Sequence, residues 1–113
     1  MEINSRTEND VTIVAVSGSI DALTSEQMLA AFMKEIESGA AHLVADLSGV
    51  EYTSSAGLRC LLTVQKEMRQ KGGDFRLAGV QPNVLKILKL SGFTRLIKMY
   101  DSVAEAAASF SGE

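Results

Sequence analysis

His42-Leu43-Val44-Ala45-Asp46-Leu47-Ser48-Gly49-Val50-Glu51-Tyr52-Thr53-Ser54-Ser55-Ala56-Gly57-Leu58 is the stretch on which the fold turns. It begins as an apolar run, His42 to Leu47, with the composition of a strand buried on both faces. It then passes through a polar loop to three hydroxyl residues, Thr53, Ser54 and Ser55, set immediately before a helical pattern. Leu58, Leu61, Leu62, Gln65 and Met68 line one face of that helix, Arg59, Thr63, Lys66 and Gln70 the other, and Gly72-Gly73 stops it. Strand, loop and amphipathic helix in succession are the repeating half of a βα architecture.

The flanks continue the alternation. Upstream, Val11 to Val16 is a β-branched run that reads as a second buried strand, with residues 2–7 as a weaker edge strand joined to it by Asn9-Asp10, a hairpin pair. Thr24-Ser25-Glu26-Gln27 has the spacing of a capping box, and Leu29, Phe32, Met33 and Ile36 then recur at helical intervals until Gly39. Downstream, Phe75 to Val80 is a third buried strand. Pro82 opens a helix carrying Val84, Leu85, Leu88 and Leu90, and Gly92 closes it. Arg95 to Met99 is strand-like, and Ser102 with Glu105 starts a terminal helix bearing Val103, Ala106, Ala107 and Phe110. Parallel strands need crossover helices, so this order predicts the α/β class: a mostly parallel mixed sheet of about five strands with about four helices. In such sheets the functional loops lie beyond the carboxyl ends of the strands, here Ser17 to Thr24, Ser48 to Ala56, and the stretches around Val80 and Tyr100.

A chain of 113 residues has material for one core, so a single domain over residues 1–113 is expected. With 46% hydrophobic and 22% charged residues the composition is that of an ordinary globular protein. A net charge of −3 argues against direct nucleic-acid binding, which needs an excess of cations. The charge is unevenly spread: residues 1–56 hold nine acidic and two basic side chains, residues 57–100 nine basic and two acidic. No stretch from Met1 reads as a signal peptide and no apolar run approaches a membrane span, so the expected address is cytoplasmic. Cys60, the single cysteine, has no internal disulfide partner and reads as a small buried hydrophobe, and His42 reads as a strand-edge residue. Walker A, GxGxxG, HExxH and zinc-spaced Cys/His patterns are all missing, and no nucleophile has a recognisable base partner. The expectation is a protein without cofactor, metal site or enzymatic activity.

What remains is the hydroxyl cluster. Ser54 or Ser55 suits the cap of the following helix, and the same free amides and dipole make that terminus favourable for an added phosphate. A phosphate adds about −1.5 to −2 charge, so its effect falls on whatever docks there. Arg59, four residues on, stands at pairing distance along the helix.

The segment Asp46-Leu47-Ser48-x-Val50-x-Tyr52-x-x-Ser55-x-Gly57-Leu58, together with Gly18-x-Ile20-Asp21-x-x-Thr24 and Pro82 followed by Leu88 and Ser91-Gly92-Phe93, resembles the STAS domain of bacterial anti-sigma factor antagonists. The resemblance covers nearly the whole chain. It implies a module that binds an anti-sigma factor having serine kinase activity and so releases a sigma factor for transcription. The kinase phosphorylates a serine at the start of the second helix, matched by Ser55, the phosphorylated module lets go, and a serine phosphatase of the metal-dependent class resets it. Asp21, Thr24, Ser54, Ser55, Gly57 and Arg59 are the implied partner-binding positions. The family commonly has Asp before the acceptor, whereas this chain has Ser54, which leaves Ser54 as an alternative acceptor; register favours Ser55. A second role known for the fold is an accessory subunit of a transporter or sensory complex without a phosphoswitch. A phospho-aspartate receiver domain shares the βα plan, but Ser17-Gly18-Ser19 offers no acidic pair for magnesium after the early strand.

Overall fold

Asn9 and Asp10 both take left-handed backbone angles, φ 49° and 65°, the conformation of a tight type I′ hairpin. The turn folds β1 (Glu2–Glu8) back along β2 (Val11–Ser17), Glu8 facing Val11 and Glu2 facing Ser17. Neither turn residue is glycine. Asp10→Gly is therefore expected to raise stability by roughly 0.5–1 kcal/mol, because it relieves a side chain of the left-handed penalty. Urea unfolding checks this, and an unchanged midpoint would refute it.

The structure, a computed structural model, describes residues 1–111, so the last two positions of the expected domain lie outside the described residues. β3 (His42–Gly49), β4 (Asp74–Ala78) and β5 (Lys98–Tyr100) follow β2 in parallel, and the sheet order is β1-β2-β3-β4-β5 with β1 antiparallel at the edge. The crossovers are α1 (Ala22–Glu37), α2 (Ser55–Gln70) and α3 (Pro82–Leu90). Consecutive right-handed crossovers in a sequentially ordered sheet put all of their helices on one face. Met28, Phe32 and Ile36 of α1, Leu61, Val64 and Met68 of α2, and Val84 and Leu88 of α3 accordingly share one core with Val14, Leu43, Phe75 and Leu77. The last helix, α4 (Val103–Ala108), turns to the opposite face, where Ala106 and Phe110 cover Val11, Ile13, Val44 and Ala78. The expected α/β class, with a five-stranded mixed sheet and four α-helices, is what the described residues form.

Several boundaries differ from the sequence reading. α1 starts before the expected capping box: Asp21 is the N-cap, and Thr24 is the third helical residue that answers it. A carboxylate that reaches two amides at once is the stronger cap. Arg95 to Met99 is not a strand; Phe93–Arg95 is a 3-10 turn and β5 is confined to three residues. Phe93 and Ile97 both point into the core, and the amides of Leu96 and Ile97 donate to Phe93 O at 2.9 and 3.0 Å, the local bonding of a helical turn rather than of a strand. Leu90, expected inside, is 80% exposed. The buried face of α2 is set by Gly57, Cys60, Val64 and Met68 as well as Leu61 and Gln65, with Leu58 and Leu62 only half-buried.

One buried residue was not anticipated. Arg76, in the central part of the sheet, is 1% exposed. Its Nε donates to Asp74 Oδ2 at 3.0 Å, its Nη1 to Ser109 Oγ at 2.7 Å, and its guanidinium lies 3.9 Å from the centre of the Phe110 ring. His42 stacks on that ring with centroids 4.6 Å apart. The charge thus fastens the segment after α4 onto β4.

Candidate functional site

The parallel pairing of β2 with β3 does not stop where the strands end. Gly18 N donates to Gly49 O at 2.9 Å, Ile20 N to Tyr52 O at 2.9 Å, and Ser54 N to Ile20 O at 2.8 Å, with Ile20 and Thr53 forming an isolated parallel bridge. Ile20 immediately precedes the N-cap of α1, and Thr53 immediately precedes that of α2, Ser54. The bridge therefore sets two helix N-termini side by side, bringing Asp21 and Thr24 onto the same face as Ser54 and Ser55.

Each terminus is finished differently. Asp21 Oδ1 accepts from Leu23 N at 3.0 Å and Thr24 N at 2.8 Å, while Asp21 N donates to Thr24 Oγ1 at 2.8 Å. Thr24 Oγ1 is also 3.0 Å from Ser19 O, which ties the box to the preceding loop. The bonds from Thr24, first its amide and then its hydroxyl, hold the Asp21 carboxyl below the usual carboxylate range, so it stays ionised at neutral pH. On α2, Ser54 Oγ accepts from Gly57 N at 3.2 Å, leaving the amides of Ser55 and Ala56 without an intrahelical acceptor. Ser54 is half-buried and committed to the cap; Ser55, the first helical residue, is exposed and its hydroxyl has no partner among the described residues. Serine caps about as well as aspartate, so α2 is well served by Ser54 at its N-cap.

Two expected site residues sit apart from the others. Arg59 is exposed one turn along α2 and makes no ion pair among the described residues. Gly57 is buried in the first turn of α2, where the backbone is approached closely. A Cβ placed there would lie 2.7 Å from Ile20 Cγ2 and closer still to Thr53 Oγ1. Gly57 is what allows the bridged loops to rest on the first turn of α2. Gly57→Ala is expected to destabilise the domain by about 1–3 kcal/mol, since both neighbours are stiff β-branched side chains. A loss under about 0.5 kcal/mol in chemical unfolding would contradict this packing argument.

Two apolar residues that sequence reasoning passed over belong to the same surface. Leu23, in the first turn of α1, is 70% exposed, and Tyr52, in the loop before α2, is 54% exposed. The available signal was phase: Ser25, Met28, Phe32 and Ile36 define the buried stripe of α1, and Leu23 falls outside it.

The remaining strand ends form a separate region. Asp46 Oδ1 accepts from Ser48 N at 3.0 Å, and Gln81 Nε2 donates to Ser48 O at 2.7 Å, joining the β3 and β4 loops. Cys60 lies buried in α2, where burial pushes its thiol up to about 12, leaving it protonated and unreactive at neutral pH. Among the described residues no group of three or more His, Cys, Asp or Glu side chains is placed to hold a metal ion, and no helix is long and apolar enough to cross a membrane.

BtrV of Bordetella bronchiseptica, provisionally assigned as an anti-sigma factor antagonist, is 34% identical over 98 residues, 87% of this chain and 84% of that one. The anti-sigma F factor antagonist of Paenibacillus polymyxa is 29% identical over 107 residues, 94% of this chain and 92% of the relative. The Bacillus cell fate determinant SpoIIAA shares the fold at low identity. Its unphosphorylated form superposes with a TM-score of 0.83 at 19% identity, covering 99% of this chain and 98% of that one. Its phosphorylated form gives 0.74 at 18%, covering 96% and 98%. The family model for the STAS domain matches residues 2–106, and with that span the chain belongs to the STAS domain family.

Proposed function

We propose that this protein is an anti-sigma factor antagonist that works by partner switching. With Ser55 unmodified it binds an anti-sigma factor having serine kinase activity, freeing a sigma factor for transcription. Phosphorylation of Ser55 by that kinase releases it, and a serine phosphatase of the metal-dependent class restores the binding form. The observation that carries this reading is the division of labour at the head of α2: Ser54 caps the helix, so the adjacent, exposed Ser55 hydroxyl is left free for transfer chemistry. The names of the Bordetella and Paenibacillus relatives support the same role. The domain itself performs no catalysis in this scheme; it is substrate and ligand.

Size is sufficient. A standard interface covers about 800 Å² per partner, and the described surface is 6092 Å², so one face around Ser55 accommodates the partner. Leu23 and Tyr52 flank that face as apolar anchors, and Asp21, Glu26 and Glu51 are exposed acidic residues of the same two segments.

Incubation with ATP and the cognate anti-sigma factor, followed by mass spectrometric mapping, is expected to place a single phosphate on Ser55. Modification of neither Ser55 nor Ser54 by any cognate kinase overturns the proposal, and co-purification with a transporter subunit instead would favour the accessory role. Tyr52→Ala and Leu23→Ser are each expected to weaken binding about 10- to 30-fold in calorimetry, the scale of an interfacial anchor. Unchanged affinity in both would remove them from the interface.

A further inference from the structure

The second half of α2 carries a feature that the Ser55 face does not use. Leu62 of α2 and Leu96, after the 3-10 turn, floor a groove of about 760 Å³ whose walls bear Lys66, Arg69 and Arg95. No acidic side chain lines it. Asp74 approaches Arg69 at 3.6 Å, but Lys66 and Arg95 have no ion pair among the described residues. Between these cations Leu96 remains 48% exposed. Unmatched charge of one sign around an exposed apolar floor is unusual on a chain whose net charge is −3.

The groove is also held rigid. Gln65, buried at its base, donates through Nε2 to Leu96 O at 3.0 Å and Asp74 Oδ1 at 2.9 Å, and its Oε1 accepts from Phe75 N at 3.1 Å. One amide thus fixes α2, β4 and the backbone of Leu96 relative to one another. A wall that is already ordered loses little entropy when something binds against it.

We propose that this groove docks an acidic segment of a protein partner, with leucine-type side chains on Leu62 and Leu96 and carboxylates on Lys66 and Arg95. Charge complementarity selects the acidic partner, and the concave apolar floor selects a side chain over a lipid surface, which needs apolar groups that protrude. No aromatic residue lines the groove, so stacking of nucleic acid bases has no platform. Lys66 lies eleven residues beyond Ser55 on the same helix, roughly 16 Å at 1.5 Å per residue. That exceeds a Debye length of about 8–10 Å, so docking here is insensitive to the charge on Ser55. The inference stands independently of the phosphoswitch. A partner using both places would be retained through one while the other is switched.

The test uses a fluorescein-labelled amphipathic peptide with a leucine face and glutamates elsewhere, titrated with the full chain. Saturable binding that weakens with salt is expected, with amide shifts in heteronuclear spectra concentrated at Leu62, Lys66, Arg69, Arg95 and Leu96. The pair Lys66→Glu and Arg95→Glu should weaken it about tenfold or more, and Ser55→Asp should leave it unchanged. Leu96→Ser should weaken it too, but because that change touches the fold, the exposed charge pair, verified by thermal melts, decides. Absence of binding, equal affinity for a peptide with lysines in place of the glutamates, or an unaffected charge-reversed variant would overturn the proposal. So would preferential retention on phosphatidylserine vesicles, or salt-sensitive self-association lost in the same variant.

Discussion

Ser55→Asp is expected to weaken binding to the anti-sigma factor kinase by about 100-fold or more, near 2.7 kcal/mol, while the thermal midpoint stays level or rises. The two halves of this expectation come from the same position. A carboxylate in the first turn of a helix interacts favourably with the dipole, by about 0.3–1 kcal/mol at an exposed site, so the folded domain accommodates it. Across an interface, the same charge meets partner groups arranged around a neutral hydroxyl and a face already bearing Asp21, and unfavourable juxtaposition there costs several kcal/mol. Ser55→Ala should bind within about threefold of the parent, because one exposed hydroxyl contributes little, and should accept no phosphate at this position. Calorimetry on both variants, paired with melting curves, separates the effects. Tight binding by the Asp variant would refute the switch, and loss of binding in both would assign Ser55 a direct contact role instead.

Arg76→Ala is expected to cost about 3–5 kcal/mol of stability, the scale of breaking a buried charge pair. Against a typical total of about 5–15 kcal/mol that is a large fraction, and the midpoint should fall by roughly 12–20 °C. The loss has several parts. Asp74 loses a 3.0 Å bond, Ser109 a 2.7 Å bond, and the Phe110 ring its cation. Gln65 and Arg69 still reach Asp74, which keeps the remaining carboxylate from being wholly unpaired. Arg76→Met, which retains the volume of the stem, should cost less. The acid limb gives a second readout. Partial burial is the largest single influence on the Asp74 carboxyl and pushes it up, but hydrogen bonds from Arg76, Gln65 and the Phe75 amide together hold it below its ordinary 3.8. A depressed carboxyl stabilises the fold above its unfolded value, and that contribution disappears as pH falls through the folded value. Without Arg76 the depression shrinks, so acid unfolding should begin at a higher pH. Urea unfolding across pH measures both effects, and a loss below about 1 kcal/mol at neutral pH would show that the buried pair merely offsets its own desolvation.

The elements that could be read from sequence were those whose apolar spacing is decided locally. Val11 to Val16 and His42 to Leu47 are buried on both faces, and the hairpin at Asn9-Asp10 needs only two residues to declare itself. The errors arose where a tertiary partner chose between local options. Thr24 looked like a cap because its answering residue, Asp21, only becomes a cap once Ile20 is held by Tyr52 and Ser54. Arg76 sits in a run that reads as an ordinary buried strand, and the groups that make a charge tolerable there, Ser109 and Phe110, are more than thirty residues away. At the candidate site, the hydroxyl cluster and the Asp21 loop were visible as separate motifs. Their adjacency depends on a bridge between two loops, and so do the positions of Leu23 and Tyr52 on one face.

The Ile20–Thr53 bridge has a bearing on how this surface can be re-engineered. Because each loop supplies backbone partners to the other and both rest on Gly57, the two are inherited as one unit. Exchanging only the β3–α2 loop with that of a relative would pair foreign carbonyls with a native ladder and shift the entry angle of a helix that was never altered. A chimera intended to redirect partner choice must carry residues from Ser17 to Thr24 and from Gly49 to Gly57 together.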